Sequence, residues 1–111
     1  MKDFCVRDIV CATGGRLLCG DDNTEITNFA TNSSKAEPGL MFAPIVGERV
    51  DGHKYIESAF ECGASAALTQ SCEAVDALIL GWKEKGIVAK PIVLVDDSVR
   101  AMQLAAREYE R

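Results

Sequence analysis

A chain of 111 residues with 48% hydrophobic side chains fits one domain and has enough apolar material to fold around a core without staples. Its 12 Lys and Arg against 17 Asp and Glu leave a formal charge of -5, which argues against a general binder of nucleic-acid backbone, because that activity needs a basic face. The five cysteines, Cys5, Cys11, Cys19, Cys62 and Cys72, are odd in number, contain no CxxC and have only His53 as an imidazole partner. They make a poor zinc set and a poor disulfide framework, and read as free thiols used as small apolar residues in a reducing compartment. No apolar run reaches membrane-spanning length, and the opening MKDFCVRDIV carries acidic residues where a signal peptide would continue apolar. The expectation is a soluble, cytoplasmic domain with no membrane partner.

In chain order, Asp3 to Thr13 has the apolar spacing of a short helix that Gly14-Gly15 stops. Arg16 to Cys19 reads as a strand, the following Gly20 to Asn23 as a turn, and the alternation of Ile26 to Thr31 as a half-buried strand. A polar loop runs from Asn32 to Glu37 and ends at a Pro38-Gly39 turn. Leu40 to Val46 is then an apolar run of strand length, and Gly47 to Gly52 a charged loop. The helix beginning at His53 places Tyr55, Ala59 and Cys62 on one stripe with Ile56, Phe60 and Gly63 beside it, Asp51 being the expected N-cap and Gly63 the stop.

Ala64 to Thr69 reads as the strand to which that helix returns, giving a right-handed βαβ-like unit if the strands are parallel. Glu73 to Lys85 has helical spacing through Val75, Leu78, Ile79 and Trp82 and ends at Gly86. PIVLV, ending at Val95, is the last strand, and Asp96-Asp97-Ser98 cap a final helix carrying Val99, Met102, Ala106 and Tyr109. With neither repeat nor linker, the class is α/β, a small mixed sheet flanked by helices in one domain over residues 1–111.

None of the nine glycines precedes a Lys-Ser or Lys-Thr pair, so no phosphate loop is present and ATP is not bound by that route. His53 is the single histidine and lies in a different segment from most of the cysteines, a poor start for a Cys-His nucleophile. Asp96-Asp97 read as acidic residues at a helix N-terminus rather than as paired catalytic carboxylates. Gly47 to Lys54, reading GERVDGHK, combines a permissive backbone with a guanidinium, an ammonium and an imidazole. Composition leaves two readings of it open, a recognition loop and a solvated turn. The same holds for Thr31 to Ser34, which offers one amide and three hydroxyls at the end of a strand.

The stretch TNSSKAEPGLMFAPIVGERVDGHKYIESAFECGASAALTQ resembles the N-terminal domain of the Mur ligases of peptidoglycan synthesis. The family pattern runs approximately D-[ST]-R, then P-G-x-x-F-x-A-x-x-G, D-G-H-x-[FY]-I and A-x-x-x-G-A. Ser33, Pro38, Gly39, Phe42, Gly47, Asp51, Gly52, His53, Tyr55, Ile56, Ala59, Gly63 and Ala64 match it in order. The flanks RDIVCATGG and PIVLVDDSVRAMQLAAREYER are most similar to members that add D-alanyl-D-alanine to UDP-N-acetylmuramoyl-tripeptide.

The resemblance implies an ATP-dependent amide ligase acting through an acyl phosphate, in which this chain holds the UDP end of a UDP-N-acetylmuramoyl-peptide. ATP and magnesium would belong to a central domain of the same protein. This domain would then contain no catalytic residue, cofactor or metal ligand and would be inactive alone. Carried over by position, Thr31, Asn32 and Ser33 would approach the nucleotide, Gly47, Glu48, Arg49 and Val50 would border uracil and ribose, and His53 would either touch ligand or pack at the helix start.

Two positions depart from the pattern, Asn32 and Ser34 standing for the family's Asp and Arg, so a charged pair is lost unless Lys35 or Arg49 compensates. Pro44 replaces the usual Ala and removes a strand N–H, which predicts an edge strand or a bulge. The rival expectations are a parent ligase that adds the third peptide residue, and a stand-alone interaction domain that has lost nucleotide binding.

Overall fold

The computed structural model describes residues 5–45 and 52–109. Within them lie helices α1 (Val6–Thr13), α2 (Ile56–Glu61), α3 (Glu73–Lys85) and α4 (Ser98–Tyr109), and strands β1 (Arg16–Cys19), β2 (Asn28–Ala30), β3 (Leu40–Phe42), β4 (Ala66–Thr69) and β5 (Ile92–Leu94). These strands form a five-stranded sheet in the order β1-β5-β4-β3-β2. β2, β3, β4 and β5 are mutually parallel, and β1 closes one edge antiparallel to β5. The expected mixed α/β sheet is therefore present, with β3, α2 and β4 forming a parallel crossover unit.

Strand alternation sorts the core into two layers. Met41, Leu68, Val93 and their neighbours face α1 and α4, where Val6, Ile9, Ala101 and Ala105 close the layer. Leu40, Phe42, Ala67 and Ile92 face the other way and pack under α2 and α3 through Ile56, Ala59, Phe60 and Val75. Both faces are covered, which is why LMF and AALT read as continuous apolar runs.

Several boundaries differ from the sequence reading. β2 is shorter than Ile26 to Thr31, because Ile26 is instead fully buried under the α1 face. Pro44 lies neither in an edge strand nor at a bulge. β3 is interior, paired with β2 and β4, and ends at Phe42. Ala43 N donates one further bond to Ala30 O at 2.8 Å, after which proline has no N–H to continue the ladder.

A 3-10 turn, Gly52–Tyr55, precedes α2, and Asp51, the expected cap, lies outside the described residues. The buried stripe of α2 is Ile56, Ala59 and Phe60, while Tyr55 and Cys62 are exposed. Gly63, at φ 113°, ends the helix as expected, and the next N–H, of Ala64, returns to Ala59 O at 3.0 Å. On α4 the buried side chains are Ser98, Ala101 and Ala105, one helical position from the stripe expected through Val99 and Met102, of which Met102 packs against the same layer partly buried.

Candidate functional site

Parallel strands deliver their connections to one edge of a sheet, and in α/β folds ligands gather at the carboxyl edge. Here that edge carries the chain leaving β2, β3, β4 and β5.

After β2, residues Ser33–Lys35 make a single 3-10 turn capped by Asn32. Asn32 Oδ1 accepts from Ser34 N at 3.0 Å and from Ser34 Oγ at 2.8 Å, while Lys35 N donates to Asn32 O at 3.1 Å. A short polar side chain that bonds its own backbone two residues on is the usual reason for asparagine in such a turn. The loop thus presents fewer free hydroxyls than its composition suggests, since that of Ser34 donates inward. Thr31 Oγ1, Ser33 Oγ and Asn32 Nδ2 have no partner among the described residues, and Asn32 is exposed. α2 packs against this turn and against the Gly52–Tyr55 turn that holds the His53 backbone. Gly47, Glu48, Arg49 and Val50 lie outside the described residues.

The exits of β3, β4 and β5 are tied together by one fully buried serine. Ser98 Oγ donates to Pro44 O and lies 3.0 Å from Gln70 Oε1, which accepts from Ser98 N at 2.8 Å. Beside it Thr69 Oγ1, also fully buried, donates to Ser71 O at 2.8 Å, and Val95 N reaches Thr69 O at 2.8 Å. Sequence reasoning placed Ser98 in a helix cap but missed this network. A small polar residue opening an otherwise apolar helix face was the available signal.

Asp97 accepts from Arg100 N through Oδ1 at 3.1 Å and from Ala101 N through its carbonyl at 2.8 Å. It therefore acts as the helix cap expected of it. On the same edge a cavity of about 310 Å³ opens between Thr13, Arg16, Asp97 and Arg100, a feature the sequence did not suggest.

Among the described residues no group of three or more His, Cys, Asp or Glu is placed to hold a metal ion, and no helix is long and apolar enough to cross a membrane. The cysteines are free, but Cys11, Cys62 and Cys72 are exposed, so the small-apolar-residue reading fails for them. Cys19 fits it better. Its thiol donates to Lys90 O at 3.2 Å, and burial pushes its pKa above the ordinary value.

Residues 25–110 match the family model described as "Mur ligase family, catalytic domain". The chain belongs to the Mur ligase family. Among curated relatives it is similar to UDP-N-acetylmuramoyl-L-alanyl-D-glutamate--2,6-diaminopimelate ligase of Parabacteroides distasonis, 33% identical over 94% of this chain and 19% of that protein. It is also 34% identical to UDP-N-acetylmuramoyl-tripeptide--D-alanyl-D-alanine ligase of Bacillus subtilis, over 79% of this chain and 17% of that protein. A crystal structure of MurF from Acinetobacter baumannii superposes with a TM-score of 0.72 at 22% identity, covering 98% of this chain and 22% of that one. The Mur ligase fold expected from the resemblance is confirmed, and the chain spans about a fifth of the length of the curated relatives it matches. Both kinds of ligase align across most of the chain, so its flanks do not separate them.

Proposed function

We propose that this Mur ligase chain is the N-terminal, UDP-substrate-binding domain of an ATP-dependent peptidoglycan ligase that joins D-alanyl-D-alanine to UDP-N-acetylmuramoyl-tripeptide in the cytoplasm. The observation that carries this reading is the Asn32-capped turn at the carboxyl edge of the sheet, inside the segment that matches the family. Asn32 Nδ2 and the hydroxyls of Thr31 and Ser33 then supply donors to the nucleotide. Gly47, Glu48, Arg49, Val50 and His53 complete the border by their place in the motif. ATP, magnesium and the catalytic groups reside in a central domain of the parent protein, and this domain alone does not turn over.

The test is isothermal titration of the chain with UDP-N-acetylmuramoyl-tripeptide and, separately, with ATP. The expected result is weak uptake of the UDP substrate, with a dissociation constant of roughly 0.1–1 mM or about -4 to -5.5 kcal/mol, competed by UDP. Tight ATP binding, or indifference to the UDP substrate at millimolar concentration, overturns the reading.

A second reading has its own support. The diaminopimelate ligase of P. distasonis aligns over 94% of this chain, against 79% for the B. subtilis D-alanyl-D-alanine ligase. Assaying the parent protein with D-alanyl-D-alanine against diaminopimelate, each with its matching UDP-linked acceptor, decides between them.

A further inference from the structure

The amino edge of the sheet, opposite the candidate site, carries a groove between α2, α3 and the chain entering β5. Its volume is about 400 Å³. Phe60 and Trp82 meet edge to face inside it, with ring centroids 5.2 Å apart at 73°. Lys90 Nζ stands 5.7 Å from the centre of the Phe60 ring and donates to Ala64 O at 3.2 Å. At the rim Ile87 is 52% and Val88 87% exposed, an unusual cost for aliphatic side chains beside an open apolar surface.

Gly81 occupies the interior of α3, where glycine weakens a helix relative to alanine, yet a Cβ there would meet nothing within 4 Å. No contact inside the molecule requires its missing side chain. What the glycine does preserve is room in the groove, which it lines.

We propose that a second copy of this chain fills the groove about a two-fold axis, the Ile87-Val88 knob of each copy entering the space beside Gly81 and Trp82 of the other. Knob and hollow lie on one face, which is the self-complementarity an isologous contact needs. The charges fit as well. Glu57 and Glu61 stand on the α2 wall and Lys85 on the α3 wall, and among the described residues none of the three is in an ion pair. A two-fold axis along the groove sets each acidic wall against the partner's basic wall. Eleven residues line the groove, fewer than the roughly 20–30 a side of a standard stable interface. The association is accordingly weak, with a dissociation constant of about 0.1 mM.

Sedimentation equilibrium of the chain from about 10 µM to 1 mM brackets that constant and tests the proposal. The average mass should climb from the 12.0 kDa of one chain toward twice that value. Val88→Asp should weaken association at least tenfold, and Gly81→Leu should do the same by filling the hollow. Both sites have open space, so Val88→Asp should melt with the wild type and Gly81→Leu at or above it, since leucine is the better helix former, which separates lost association from lost folding. Glu61→Lys and Lys85→Glu should each be monomeric alone and associate when mixed one to one. A wild-type chain monomeric at 1 mM, or a dimer that Val88→Asp and Gly81→Leu leave intact, overturns the proposal. So does a monomer whose groove binds the apolar dye ANS in the wild type and not in Val88→Asp, which would assign the groove to a small apolar ligand.

Discussion

Replacing Ser98 with alanine isolates the network that joins three strand exits. The hydroxyl is fully buried and donates to the carbonyl of Pro44, itself buried. Its loss removes a hydrogen bond worth about 0.5–1.5 kcal/mol net and leaves an acceptor without a partner, a desolvation cost of about 1–3 kcal/mol. The two are parts of one change and overlap, so the expected destabilisation is about 2 kcal/mol. The bond from Ser98 N to Gln70 Oε1 survives, which keeps the helix start in place and the effect local. In a domain of this size about 2 kcal/mol lowers Tm by roughly 8–12 °C, and a urea titration should show a lower midpoint with unchanged slope. Ser34→Ala serves as the comparison, because its hydroxyl bonds Asn32 at an exposed turn, and its effect should stay within about 0.5 kcal/mol. A Ser98→Ala protein as stable as Ser34→Ala would refute the reasoning and show that the Pro44 carbonyl finds another donor.

Other positions give equally direct tests. Gly20 has φ +86°, and a Cβ there would lie 2.3 Å from Pro91 N, so Gly20→Ala should destabilise by more than about 3 kcal/mol through backbone strain and displacement of the β1-β5 edge; a urea midpoint near that of wild type counts against it. Asn32→Ala removes both acceptor bonds of the 3-10 turn and should cost about 0.5–2 kcal/mol while weakening uptake of the UDP substrate, as titration would record. Burial raises the Cys19 pKa above its ordinary 9.0, so this thiol should be alkylated more slowly at pH 8 than Cys11, Cys62 and Cys72, as peptide mass spectrometry can follow. The folded state holds that proton more tightly than the unfolded chain does. The associated stability is therefore present below about pH 9 and is lost as pH rises through the folded value.

The elements most legible in the sequence were those whose own residues settle them. Arg16–Cys19 and Glu73–Lys85 have the expected bounds, the second because its apolar spacing, acidic first turn and closing Gly86 all agree. Places where tertiary contacts decide were less legible. Ile26 shares the alternation of β2 yet is drawn under α1, and α4 buries its small residues Ala101 and Ala105 while Met102 beside them is only partly covered. Tyr55 and Cys62 failed for a related reason, since a 3-10 turn before α2 resets the helical phase. For the candidate site, the polar loop after β2 is present as a turn, while Gly47 to Val50 lie outside the described residues. How Asn32 spends its side chain was not legible, because an Asx turn and a ligand contact demand the same residue type.

That last ambiguity bears on the two departures from the family pattern. Asparagine keeps the oxygen that caps the turn, and Ser34 is short enough to fold its hydroxyl back onto that oxygen, so the turn survives the loss of the Asp and Arg. Geometry and charge are therefore separable at this position, and Asn32→Asp with Ser34→Arg separates them. The aspartate can cap as the asparagine does, while the arginine restores the charge. If the turn's shape is what this loop contributes, the double variant should bind the UDP substrate within about threefold of wild type, an effect below about 0.7 kcal/mol, with little dependence on salt. A tightening of about tenfold or more that fades at high ionic strength would instead show that the chain has given up a charge-assisted contact to the diphosphate.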